Sequence, residues 1–249
     1  MFKSDQDAIA AIGTKPGDAA IGIVKLSGQE AVAIADKLFK AGSGYRLKEL
    51  DSYSMAYGHI LDKKGHMVDE AVVSVMREPR SYTREDVVEI NTHGGIIPTS
   101  KVLELCLEQG ARLAEPGELT MRAFLNGRID LSQAEAVIDM VRSKTVESLK
   151  IAAKNIKGET GKTIKIIKQK IVKVLVQLEA SVDFIEEDLE LTPYGQLSLE
   201  VKNLKKIVDK LIKDEKKGEI VKNGIKVAIV GKPNVGKSSL LNLLVKKEK

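Results

Sequence analysis

The apolar residues of this chain change their spacing part-way along, and that change limits what the chain can fold into. Up to about residue 118, "AAIGIVKLSG", "DEAVVSVM" and "EDVVEINTHGG" are short runs rich in Val and Ile, bounded by turn residues, as strands are. Between them, "GQEAVAIADKLFKAG" and "IPTSKVLELCLEQGA" carry apolar residues at helical spacing and end at glycine. From about 119 to 222 the strand signals stop. Ile164, Ile167, Ile171, Val174, Leu178, Val182 and Ile185 follow a three-four spacing, and Leu197, Val201, Leu204, Val208 and Leu211 repeat it. Each set predicts one long helix with a single apolar stripe, and the two stripes predict helices packed side by side. "EEDLELTPYG" reads as the loop between them, with Thr192 before Pro193 opening the second helix. Ser132 and Glu135 form an S-x-x-E capping box, which predicts a helix starting at "SQAEAVIDMVRSKT". The expected organisation is a mixed α and β domain over 1–118, helices over 119–222, and a new beginning over 223–249.

The composition fits a folded, soluble protein: 43% apolar and 30% charged over 249 residues. No apolar run approaches the roughly 20 residues that span a bilayer. The N-terminus has acids where a signal peptide needs bases, so no membrane association and a cytoplasmic location are expected. Cys106, the sole cysteine, lies on a helical pattern and reads as a small buried apolar side chain. The histidines and this cysteine make no metal-ligand spacing. Net charge is +5, compatible with an anionic partner such as RNA, but the lysines are intermixed with acids. In the helical segment they fall mostly off the stripes, so a solvated face and a nucleic-acid surface both remain open.

The last stretch, "KVAIVGKPNVGKSSLLNLLVKKEK", holds the most specific chemistry. Gly231 is followed by four residues and then Gly236-Lys237-Ser238, between an apolar run and an apolar helix pattern. "IKVAIV" is expected to be a buried strand. A polyphosphate needs many donors converging on a small anion; consecutive backbone N–H groups in a glycine turn supply them, with the dipole of the next helix. Gly231 and Gly236 allow the backbone its dihedrals, Lys237 meets the outer phosphates, and Ser238 offers its hydroxyl to Mg²⁺. The loop by itself does not choose between ATP and GTP.

Several stretches together resemble one family. "GKPNVGKSSLLNLL" is similar to the G-x-P-N-x-G-K-S loop of translation-factor-related GTPases, while "PRSYTREDVVEINTHGG", "EPGELTMRAFLNGRIDLSQAEAV" and the opening "DAIAAIGTKPGDAAIGIVKLSG" resemble, in order, segments of the MnmE (TrmE) family of tRNA-modification GTPases. The resemblance implies an α+β N-terminal folate-binding domain, aminomethyltransferase-like, that also forms the homodimer. An α-helical domain would follow, then the first β-α unit of a P-loop G domain. It implies action on tRNA with the flavoprotein MnmG, modifying carbon 5 of the wobble uridine with GTP and a one-carbon donor such as 5-formyltetrahydrofolate. The family's GTP-binding segment falls on Asn234, Val235, Gly236, Lys237, Ser238 and Ser239, its potassium (K⁺) ligand on Asn234 and its magnesium (Mg²⁺) ligand on Ser238. Asn234 alone also fits an ordinary turn residue after Pro233.

The family's folate contacts fall on Lys25, Glu89 and Arg128. Glu89 interrupts the apolar run "VVEIN", where a charge is costly unless exposed or paired. A pterin edge offers two parallel N–H donors to such a carboxylate, and Lys25 and Arg128 would pair with the glutamate tail. The family has arginine where Lys25 stands, and "GRGG" where this chain has "GDAA" with Asp18. The chain reaches Lys249 eleven residues after Ser238. It is therefore expected to be an N-terminal fragment with a truncated G domain, retaining folate binding and dimerisation without GTP turnover. A folate-free dimer scaffold and a stand-alone RNA-binding ATPase are the competing readings.

Overall fold

A computed structural model describes residues 7–42, 44–183, 192–223 and 227–245. The chain divides into two compact units, Met1–Val137 and Ile138–Lys249. The first unit contains strands β1 (Ile9–Ile12), β2 (Ile21–Ser27), β3 (Phe39–Ala41), β4 (Ser54–Leu61), β5 (Met67–Met76), β6 (Val87–His93) and β7 (Arg112–Leu113). They form one sheet in the order β3-β4-β5-β6-β2-β1-β7, antiparallel throughout except where β1 runs parallel to β7. Helices α1 (Ala31–Leu38), α2 (Ile96–Glu108) and α3 (Glu118–Leu125) complete the unit, and α4 (Leu131–Arg142) contains its boundary.

Side chains alternate across a strand, so each strand divides its residues between two faces. Val24 and Leu26 of β2, Val88 and Ile90 of β6, and Val73 and Val75 of β5 share one face, where they form a core with Val32, Ala35 and Leu38 of α1 and Val102, Leu105 and Cys106 of α2. Burial pushes the Cys106 thiol up to about 12, so it stays an inert apolar filler. The opposite face is open: Lys25, Ser74, Glu89 and Asn91 are half-buried there, and Met55 and Tyr57 are exposed. The helix expected to run to Gly42 stops at Leu38, because Phe39–Ala41 is drawn into the sheet by pairing with Gly58–Ile60. Gly94 after β6 is needed for close approach, since a Cβ there would lie 1.9 Å from the Ala19 carbonyl oxygen.

The second unit is helical: α5 (Val146–Ile156), α6 (Glu159–Asp183), α7 (Tyr194–Asn223) and α8 (Lys237–Val245). The long helices α6 and α7 do pack together, with Val174, Leu197 and Leu204 buried and Leu178 against them. Much of the stripe is not covered: Ile164, Ile171, Val182 and Val201 are exposed, and Ile185 lies outside the described residues. Pro193 precedes α7 and its carbonyl accepts the Gln196 and Leu197 N–H groups. The capping box of α4 sits two residues before the expected Ser132 and Glu135. Asp130 Oδ1 accepts the Gln133 N–H at 2.9 Å and Gln133 Oε1 accepts the Asp130 N–H at 2.9 Å, because a carboxylate is at least as good a cap as a hydroxyl. Of the expected strand "IKVAIV", Ile225 and Lys226 lie outside the described residues, and Val227–Val230 lies in no strand, with Val227 and Val230 exposed. A strand needs a neighbour for its backbone groups, and none of the described residues pairs with it.

A charged network ties α3 to the sheet. Arg112 grips Glu118 with both Nη atoms, at 2.5 and 3.1 Å, and Asp7 with Nε at 2.6 Å. Arg122, 8% exposed at its side chain, donates to Asp7 at 2.5 Å, Glu85 at 3.1 Å and Glu118 at 3.2 Å. Ser27 joins from β2, donating to Glu85 at 2.7 Å. Burial would raise the Asp7 and Glu118 carboxyls, but hydrogen bonds and charge from the two arginines outweigh it and hold both below their ordinary values. The stability this depression gives is therefore present above about pH 4.5, and is lost as pH falls below the ordinary values of 3.8 and 4.5. Replacing Arg122 by methionine leaves three carboxylates without their shared cation. It should destabilise the first unit by about 3–5 kcal/mol near neutral pH. In urea denaturation followed by circular dichroism, the deficit should shrink as pH approaches 4.

Candidate functional site

Three groups of candidate residues lie in this chain, and they are not assembled alike. Lys25 is the register partner of Glu89 across the β2–β6 ladder. Their side chains meet at 2.8 Å, each about one-third exposed at 34% and 29%. The pair sits on the open face of the sheet. A glycine at position 13 makes room for it, since a Cβ there would lie 2.8 Å from Lys25 Cε. Ser74 pairs with Glu89 from β5, and Asn91 lies two residues further along the same face, with its Nδ2 on the Val72 carbonyl at 2.9 Å. Sequence reasoning missed Ser74 and Asn91. The alternation in "VVEINTH" was the available signal, because it places Glu89, Asn91 and His93 on one side of β6.

The position of His93 is fixed by Asp69, whose buried carboxylate accepts the His93 backbone N–H at 2.8 Å and lies 2.7 Å from Nδ1. The hydrogen bond and charge of Asp69, with a smaller contribution from Glu70, hold the imidazole protonated to higher pH than usual. On β4, Tyr57 and His59 both face Glu70, the tyrosine hydroxyl donating to Glu70 Oε1.

Arg128 lies beyond the end of α3, with its guanidinium 4.7 Å from the centroid of the Tyr82 ring. This is a cation–π contact that orients the arginine while leaving it exposed. Tyr82 is another residue the sequence reading passed over. Its hydroxyl is 3.0 Å from Thr120 Oγ1 on α3. Asn126 Nδ2 donates to the Thr83 carbonyl at 2.6 Å, and Arg84 donates to the Asn126 carbonyl at 2.9 Å. The loop before β6 and the end of α3 are thus stitched together, and the Arg122 network anchors both. The structure brings Lys25 and Glu89 into direct contact; Arg128 is held by a different part of the same unit.

The glycine loop has the backbone of an anion cradle. Asn234 and Gly236 adopt left-handed conformations, with φ of 62° and 90°. The first intrahelical bond of α8 runs from Leu240 N to the Gly236 carbonyl at 2.9 Å, so the N–H groups of Lys237, Ser238 and Ser239 precede the helix's own ladder. Lys237 folds back over the loop, its Nζ donating to the carbonyls of Gly231 at 3.1 Å and Lys232 at 2.7 Å. Val235 packs near Gly231, with Cγ2 3.1 Å from where a Cβ would be. The Ser238 hydroxyl and the Asn234 amide oxygen are exposed and make no side-chain hydrogen bond among the described residues. Both are hard oxygen donors, the kind that Mg²⁺ and K⁺ take, so the donor chemistry fits these ions.

Comparison with known proteins gives a consistent result over nearly the whole chain. A family model described as the GTP-binding protein TrmE N-terminus matches residues 8–128, and one described as the MnmE helical domain matches residues 131–248. A tRNA modification GTPase MnmE from Thermoanaerobacter pseudethanolicus is 54% identical over 244 residues, covering 98% of this chain and 53% of the relative. The protein of the same name from Geobacillus kaustophilus is 51% identical over 241 residues (96% and 52%), and that from Lactococcus lactis subsp. lactis is 50% identical over 244 residues (98% and 53%). The chain spans about half the length of the curated relatives it matches. With two consecutive domain models of one family over residues 8–128 and 131–248, and about half of all positions identical to its relatives, the chain belongs to the MnmE (TrmE) family.

Proposed function

We propose that this chain carries the folate-binding and dimer-forming part of a tRNA-modifying GTPase, together with its phosphate-binding loop. The whole protein would act in the cytoplasm with MnmG on carbon 5 of the wobble uridine, using GTP and a tetrahydrofolate one-carbon donor. Relatives named for tRNA modification and GTPase activity support the general reading. The observation that carries the folate reading is the Lys25–Glu89 pair on an uncovered sheet face.

A pterin edge presents two N–H donors beside a carbonyl oxygen. Glu89 accepts the two donors together, and Lys25, 2.8 Å away, turns to the neighbouring carbonyl oxygen. Both groups then serve the pterin end, which takes Lys25 away from the glutamate tail and leaves Arg128 to meet the tail's carboxylates. Tyr82 holds that guanidinium against its ring face. The exposed Ile21, Met55, Tyr57 and Met67 supply apolar area for the homodimer on the same domain.

In the glycine loop, Asn234 to Ser239 wrap the phosphates. Lys237 exchanges its bonds to the Gly231 and Lys232 carbonyls for phosphate oxygens, a stronger, charge-assisted pairing. When bound, Mg²⁺ and K⁺ neutralise phosphate charge; Ser238 would hold the first and Asn234 the second. The residues after Ser238 include neither D-x-x-G nor N-K-x-D, the patterns that position water and read guanine.

Calorimetry with 5-formyltetrahydrofolate should give saturable heat, and Glu89→Ala should weaken binding roughly 10- to 100-fold, about 1.5–3 kcal/mol. Absence of heat with the unmodified chain would favour the folate-free scaffold instead. For the nucleotide end, purified residues 1–249 should show negligible GTP hydrolysis with Mg²⁺ in either sodium or potassium buffer. Potassium-stimulated turnover by this chain would contradict that.

A further inference from the structure

The lysines of α7 are arranged more regularly than a generic solvated face requires. Leu197 and Leu204 point at α6 and are buried. On the far side of the helix, Lys202, Lys206, Lys210 and Lys213 fall within about 80° of arc, at 100° per residue, and run for roughly 16 Å along the axis. All four are exposed, and none makes an ion pair or side-chain hydrogen bond among the described residues. Asp209 lies at the edge of the stripe, and Glu200 and Asp214 lie off it. Asp209 is within one helical turn of Lys206, Lys210 and Lys213, and Asp214 of the last two, but neither forms an ion pair with them among the described residues. The neighbouring helix adds to the field: between Lys162 and Lys173, α6 has five lysines and no acid.

We infer that the outer face of α7 is a docking surface for the phosphate backbone of RNA, a reading that rests on the proposed action on tRNA. Three observations select this occupant. Beyond Arg142 the chain has no arginine at all, and lysine is the point-charge partner of phosphate, whereas protein interfaces favour arginine and aromatic residues and are depleted in lysine. A helix that lies on a membrane needs apolar residues beside its basic ones. The buried leucines of α7 point the opposite way; from Lys202 to Lys213 the lysine arc holds no apolar residue and is bordered by the polar Asn203, the exposed Leu199 lying in it just before Lys202. Unpaired lysines also pay no cost of breaking an existing ion pair when they meet phosphate. Such contacts hold the backbone in position and carry no base specificity.

The test is fluorescence anisotropy of an end-labelled, unmodified tRNA transcript titrated with this chain at salt concentrations from about 50 to about 200 mM. Four phosphate contacts predict a slope of log K against log salt of about −3 or steeper. Lys206→Gln with Lys210→Gln should make the slope shallower by about 1.5 and raise Kd several-fold at the lowest salt. Lys101→Gln with Lys150→Gln removes the same charge from lysines already paired with Glu104 and Glu147 and should leave the slope unchanged. An equal fall in both variants, no change in the first, or no binding of tRNA by the unmodified chain overturns the inference. So does loss of binding to equimolar phosphatidylcholine–phosphatidylserine vesicles with tRNA binding intact. The folate calorimetry is independent of α7, so a failed α7 surface and a failed functional reading give different results.

Discussion

The first unit depends on two arginines being unable to leave their carboxylates. Arg112 and Arg122 connect Asp7 before β1, Glu85 before β6 and Glu118 on α3. These segments are far apart in sequence, and β7 is only two residues long, so backbone pairing alone does little to hold them. Charge does it instead. Each carboxylate is largely desolvated, which would be costly for any one alone; the forked guanidinium donors make the set collectively favourable. The network also bears on the candidate site, because the loop it clamps carries Tyr82 and the helix it clamps leads into Arg128. A change at Arg122 would therefore disturb the candidate tail-binding arginine without touching it.

The strongest sequence signals were those with a local cause. Strands β2, β5 and β6 and helix α2 announced themselves by spacing and by flanking turn residues, and each was found where expected. The short strands β1, β3 and β7 did not, because two to four residues hold too little periodicity to read; they exist by virtue of their neighbours. Helix α1 lost its last turn to such a neighbour. The capping of α4 was misread because Asp130, Ser132, Gln133 and Glu135 offer two overlapping boxes, and hydrogen-bond geometry chose the carboxylate.

The site was legible in a similar way. Resemblance marked Lys25, Glu89 and Arg128, but their mutual arrangement is a property of strand register. Nothing in the spacing of residues 25 and 89 says that they face each other; the antiparallel pairing of Ile21–Ser27 with Val87–His93 does. That contact changes the chemistry. A lone glutamate on an open sheet would be a plain anion, whereas a glutamate in contact with an ammonium presents acceptors and donors side by side. On the proposed folate reading, such a surface would discriminate between ligands by the order of their polar atoms, since a mismatch would leave a charged group half-buried and unpaired.

The two kinds of cation are distributed unevenly along the chain. All the arginines lie at or before Arg142, and those in the network act through planar forks that fix geometry around carboxylates. The helices beyond use lysine only. Lysine's flexible stem lets its charge follow a partner rather than impose an angle on it. Lys237 reaches back along its own loop in this way, its ammonium resting on two loop carbonyls. On the proposed reading, rigid recognition would lie where a small ligand is oriented, and compliant charge where a long, repetitive anion or a polyphosphate is held.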